Sequence, residues 1–212
     1  MRATIWLLGV TAVVIALIVG RSGLVGPSKR SIVHMRYAGR ELSIPVEYLS
    51  EPASLDLLDE PSSLMLHAYL PDFTATPTRP EVENGGSRQK IEIEVEKRQY
   101  SLNIPFADLA AYRIVNVPFH DAYSLRAFRA ERPEWLRKGS FSNPREVYFQ
   151  QHDQIVTVLI MCEPGWPSPP CHHQFADSDL MYNLTYHLSN LSDWMRIQTA
   201  AKAFIQRLQV GQ

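Results

Sequence analysis

The last quarter of the chain leaves few folds open to it. Leu191, Trp194, Ile197, Ala201, Phe204, Ile205 and Leu208 recur at three- and four-residue steps, while Arg196, Gln198, Lys202, Gln206 and Arg207 fall mostly elsewhere around the turn. That spacing predicts an amphipathic helix. Asn190 and Asp193 give it a polar start, and Lys202 and Arg207 sit toward the negative end of its dipole. Its apolar stripe has to cover another element. Residues 180–187 supply one: Leu180, Tyr182, Leu184 and Tyr186 alternate with Met181, Asn183, Thr185 and His187, the two-residue period of a strand. Before them lie a strand at 155–161 and a proline-rich loop between Cys162 and Cys171, for which 180–187 reads as the return strand. The expected fold is α+β: a mainly antiparallel sheet of hairpins with the C-terminal helix packed on one face, preceded by an N-terminal transmembrane helix.

Upstream, residues 32–37, a turn at Ala38-Gly39-Arg40 and residues 41–44 sketch one hairpin, ending at Pro45. Sixty residues later the pattern recurs. Ile91, Ile93 and Val95 alternate with Glu92, Glu94 and Glu96, and residues 101–104 lead into Pro105. Leu42-Ser43-Ile44-Pro45 aligns with Leu102-Asn103-Ile104-Pro105, and Leu49 with Leu109, as an internal duplication would produce. Proline has no N–H for a sheet ladder, so both prolines should end their strands. Residues 63–70 read as a buried strand, 71–90 as a long polar loop with three prolines in its first ten residues, and 146–151 with 155–161 as a further hairpin. Residues 123–138, carrying Arg126, Arg129, Arg132, Arg137 and Lys138, read as a helix broken near Pro133.

Thr4 to Gly20 is an uncharged run of seventeen residues, about 25 Å as a helix and at the short end of what crosses a bilayer. No small-x-small cleavage site follows it, which favours an uncleaved anchor over residues 1–21, a spacer at 22–31 and a folded domain over 32–212. The basic residues Arg21, Lys29 and Arg30 after the run favour a cytoplasmic body. The cysteine pair favours an oxidising compartment and is given the greater weight, so the expected location is the bacterial inner membrane with the domain in the periplasm.

The chain's only cysteines, Cys162 and Cys171, close a short loop between consecutive strands, the setting of a disulfide. A zinc site using them with His172 and His173 is disfavoured, because there is no Cys-x-x-Cys knuckle and adjacent strand residues point to opposite faces. His120-Asp121, His152-Asp153 and His172 are the candidate catalytic groups, yet neither a Gly-x-Ser-x-Gly elbow nor a phosphate loop accompanies them. Glu92, Glu94 and Glu96 share one strand face, which reads as a solvated outer face.

With 21 basic and 22 acidic residues, the charge balance argues against nucleic acid as a partner. No motif calls for a metal or a small-molecule cofactor. What remains is a module that binds another protein. Trp166 in the stiffened cysteine loop, with Arg126 and Arg129, are the expected contact residues, since interface hot spots favour Trp and Arg. The architecture suits an inhibitor or immunity-type protein against an envelope-acting toxin. The alternatives are an accessory or assembly factor of an envelope complex, and a hydrolase using His120, Asp121 or His172.

Overall fold

The computed structural model describes residues 31–50, 61–76, 88–97, 102, 104–111, 113, 117–130 and 145–210. The expected anchor, the spacer, residues 77–87 of the long loop and residues 131–144 lie outside the described residues. Among the described residues no helix is long and apolar enough to cross a membrane.

The strands are β1 (Ile32–Tyr37), β2 (Arg40–Pro45), β3 (Ser63–Tyr69), β4 (Lys90–Lys97), β5 (Ile104–Pro105), β6 (His120–Ala122), β7 (Leu125–Ala130), β8 (Arg145–His152), β9 (Ile155–Cys162), β10 (Pro170–Asp177) and β11 (Leu180–His187). Helix α1 (Phe106–Ala110) is a single short turn, and α2 (Trp194–Arg207) is the C-terminal helix. β1 and β2 form a separate hairpin, with Ala38 and Gly39 at positive φ in its two-residue turn. The other nine strands make one antiparallel sheet in the order β3-β4-β11-β10-β9-β8-β7-β6, with β5 added alongside β9. Six strands from β6 to β11 therefore meander without interruption, and the β3–β4 pair docks onto the last of them.

Helix α2 covers one face of this sheet, as its stripe requires. Leu191, Trp194, Ile197, Ala201, Phe204, Ile205 and Leu208 are all buried, in one core with Leu66, Ile93, Ile160, Phe175, Leu184 and Tyr186. The polar start differs from expectation. A 3₁₀ turn (Leu188–Asp193) precedes the helix, and Asp193 makes no capping hydrogen bond, pairing instead with Arg196 at 2.8 Å. The chain after the helix returns to the small hairpin: the Ser43 N–H donates to the Leu208 carbonyl at 2.8 Å and the Val210 N–H to Glu41 at 2.9 Å.

Three expectations are corrected. The proline loop returns at once as β10, so β11 is not the partner of β9; it pairs with β10 on one side and β4 on the other. Strands β4 and β5 do not pair with each other, so no second copy of the β1–β2 hairpin exists. The local likeness at the prolines is real, since Pro45 and Pro105 both lead into a short helical turn and Leu49 and Leu109 are both buried. Residues 125–130 are strand, not helix. Leu125 and Ala127 are buried on one face of β7 and Phe128 and Ala130 on the other, and burial on both faces erases the simple alternation that would mark a strand. Tyr123 and Ser124, read as a helix start, are the positive-φ residues of the β6–β7 turn.

Candidate functional site

The face of the sheet turned away from α2 has two halves. Register places rows of side chains straight across the strands. One row runs His67, Glu92, Thr185, His172, Met161, Val147 and Phe128. The next runs Met65, Glu94, Asn183, Gln174, Leu159, Phe149 and Arg126, and a third, shorter row holds Ser63, Glu96, Met181 and Ala176. The first row passes from polar to apolar as it crosses the sheet; the second does so from Glu94 to Phe149, with Met65 at one end and Arg126 at the other.

The apolar half is closed. Phe106 of α1 and Phe119 lie over Phe149 and Phe128, with ring centroids 5.4 Å apart for Phe106–Phe149 and 5.5 Å for Phe119–Phe128. Buried Leu102, Leu109, Val156 and Leu159 complete this second core. The polar half is open. Two contiguous depressions of ≈ 350 and ≈ 640 Å³ share Glu94, Gln174 and Asn183 in their linings, forming one groove along β4, β11 and β10. Met65 is 50% exposed in it, although it is a large apolar side chain.

Within the groove, Asn183 Nδ2 donates to Glu94 Oε2 at 3.4 Å, and His172 Nδ1 lies 3.2 Å from the Thr185 hydroxyl. Lys90 Nζ pairs with Glu92 at 2.9 Å, and Arg145, at the groove's end, pairs with Glu163. Burial lowers the pKa of His172, opposed by the nearby Glu163 carboxylate. Burial and then Lys90 lower that of His67. Neutral imidazoles flanking Glu92 add no positive charge to the floor at neutral pH. Among the described residues no three carboxylate, imidazole or thiol groups converge where a metal ion could sit. A third depression of ≈ 420 Å³, at the base of the long loop, holds Asp72, Gln89, Asn190 and Asp193, with Asp193 already paired to Arg196.

The residues singled out in the sequence are dispersed. Cys162 and Cys171 are register partners across β9 and β10, 4.1 Å apart at Cα, and are joined by the expected disulfide on the helix-covered side. Trp166 is 39% exposed in the loop they close, its backbone N–H donating to the Glu163 carbonyl at 3.3 Å. Arg126 and Arg129 do not share a face, because three residues apart on a strand is opposite sides. The Arg126 guanidinium lies over the chain's own Phe119 at 5.0 Å and Phe106 at 5.7 Å, while exposed Arg129 reaches Glu146 at 3.4 Å. His120 and Asp121 are exposed on edge strand β6 and point to opposite faces. His172 lies four strands away on β10, roughly 19 Å at the usual strand spacing. His152 and Asp153 stand at the exposed β8–β9 turn, 3.3 Å from each other. His173 points the other way from His172 and is 0% exposed beneath α2, between Gln198 Oε1 at 3.1 Å and the Tyr186 hydroxyl at 3.3 Å.

The groove was not read from the sequence. Its signal was present in residues 171–176, where buried Cys171, His173 and Phe175 alternate with His172, Gln174 and Ala176. Glu94 and Glu96, expected on a solvated face, are half-buried in the groove floor.

No known family model matches the chain, and no curated protein matches it in sequence. Two solved structures share its fold. The immunity protein Smlt3025 of the Stenotrophomonas maltophilia type IV secretion system superposes with a TM-score of 0.54 at 16% identity, covering 86% of this chain and 94% of that one. The Neisseria meningitidis iron-regulated outer membrane lipoprotein FrpD superposes with a TM-score of 0.50 at 10% identity, covering 82% and 92%.

Proposed function

We propose that this chain is an immunity-type protein that acts by binding another protein, held at the bacterial inner membrane by residues 1–21 with its folded domain in the periplasm. The observation that carries the reading is the half-open sheet. A domain that buries most of one face and the apolar half of the other leaves a long, shallow, polar groove uncovered, with Met65 exposed in it. Such a surface suits a polypeptide better than a small substrate, which needs an enclosed pocket with a few convergent groups. The fold shared with an immunity protein adds support, and His120, Asp121 and His172 stand too far apart to act on one bond.

The test is capture of a partner by the full chain, followed by complementation with variants at matched expression. His120→Ala and Asp121→Asn should keep the phenotype, because both stand exposed on edge strand β6, outside the groove that His172 lines. Trp166→Ala should weaken capture about thirtyfold if the cysteine loop is a contact hot spot. A folded chain that loses function through a single His or Asp change, with Trp166→Ala harmless, would replace the binder by an enzyme. Membrane placement is tested separately: the full chain should stay with the membrane through alkaline carbonate, and its release would remove the anchor.

A further inference from the structure

The groove's charge is unbalanced in a way that specifies its occupant. The cations on this face are already engaged: Lys90 pairs with Glu92 and Arg145 with Glu163, Lys97 at the groove's rim lies over the Tyr37 ring at 5.9 Å, and Arg126 lies over Phe119 and Phe106 in the closed half. Glu94 and Glu96 have no cationic partner among the described residues; Glu94 accepts only from the Asn183 amide. They stand two residues apart on one strand face, about 7 Å, half-buried where water screens them less than on an open surface. Two like charges so placed repel one another, and no cation among the described residues pairs with either. Around them, Met65 on β3 and Met161 on β9 offer adaptable apolar contact, and Gln174 and Asn183 offer amides.

We propose that the groove binds a cationic segment of the partner protein, with two lysine or arginine side chains about 7 Å apart seated on Glu94 and Glu96 and the apolar stems of those side chains against Met65. This rests on the binding reading above and adds the partner's chemistry to it. The spacing is that of residues i and i+2 of an extended segment, so an alternating basic sequence fits the two carboxylates in register. The partner's bases complete the ion pairs that Glu94 and Glu96 lack, and Glu92, already matched by Lys90, contributes little.

Fluorescence anisotropy with the full chain tests this, using a labelled dodecapeptide of alternating arginine and alanine and its counterpart with glutamate for arginine. The arginine peptide should bind, more weakly as salt rises, and the glutamate peptide should not. The isosteric E94Q/E96Q double variant should weaken arginine-peptide binding at least tenfold with an unchanged unfolding midpoint, Met65→Ala about threefold, and Glu92→Gln less than threefold. Equal binding of the two peptides, or no loss in E94Q/E96Q, overturns the proposal. So does a Glu92→Gln effect as large as that of the double variant, which would mean diffuse acidity and not a two-point seat. A natural partner captured equally by wild type and E94Q/E96Q also overturns it while leaving the binding reading intact. Arginine-peptide binding through Glu94 and Glu96 in a chain that captures no partner supports the groove's chemistry and sinks the binding reading instead.

Discussion

The two faces of the nine-stranded sheet are built from the same strands and do opposite work. On the α2 side, residues such as Ile93, Leu184, Phe175 and Ile160 meet a continuous helix stripe, and the imidazole of His173 is buried among them. On the other side the same strands present the mixed row of Glu94, Asn183, Gln174 and Leu159, closed by rings at one end and open at the other. The difference teaches where the fold keeps its stability and where it leaves its surface chemistry free. A covered face tolerates little change because its neighbours cannot relax into a lost volume, whereas an open face can change its chemistry at small cost to the fold.

Substitutions that should differ most between the faces test this first. Phe204→Ala removes a buried ring packed on Tyr48 at 5.0 Å and Phe73 at 5.6 Å, and should cost about 3–5 kcal/mol in denaturant unfolding. Glu94→Gln on the open face should change stability by less than about 0.5 kcal/mol. Comparable losses for both would erase the distinction.

Next in size come two internal restraints on the covered side. Replacing Cys162 and Cys171 by alanine releases a short loop and should cost about 2–3 kcal/mol, measured against the oxidised protein under the same denaturant. His173 should impose an acid limit. Burial lowers its pKa from 6.5 to about 4, with the Gln198 hydrogen bond opposing the shift. The neutral ring donates from Nε2 to Gln198 and accepts the Tyr186 hydroxyl at Nδ1. Below pH 6.5 the unfolded chain takes up a proton that the folded one refuses. This group's contribution therefore falls as pH drops from 6.5 toward 4, by about 2–3 kcal/mol near pH 4.5. His173→Gln should flatten that part of the stability profile; an unchanged slope would show that another group sets it.

The smallest effect separates the two arginines. Arg126→Ala uncovers the rings of the closed half and should cost about 1 kcal/mol, while exposed Arg129→Ala should cost less than about 0.5 kcal/mol, both read from unfolding midpoints. Equal losses would mean that Arg126 is not part of the second core.

Much of this molecule follows from period and spacing alone. The stripe from Leu191 to Leu208 determined which side of α2 is buried, the alternation in β11 determined which of its residues face the helix, and two cysteines at the ends of one loop determined the disulfide. Those are local properties, written in steps of two or three to four residues. Only the tertiary structure decided that β4 lies beside β11, because strands some ninety residues apart carry no mark of which will pair. It likewise decided that Arg126 and Arg129 part to opposite faces, since a short segment buried on both sides has no period by which to tell strand from helix. The groove follows from that long-range pairing: Glu94 and Glu96 are a solvated edge or a groove floor according to what stands beside them, and the chain brings Asn183 and Gln174 there only when the whole sheet has formed.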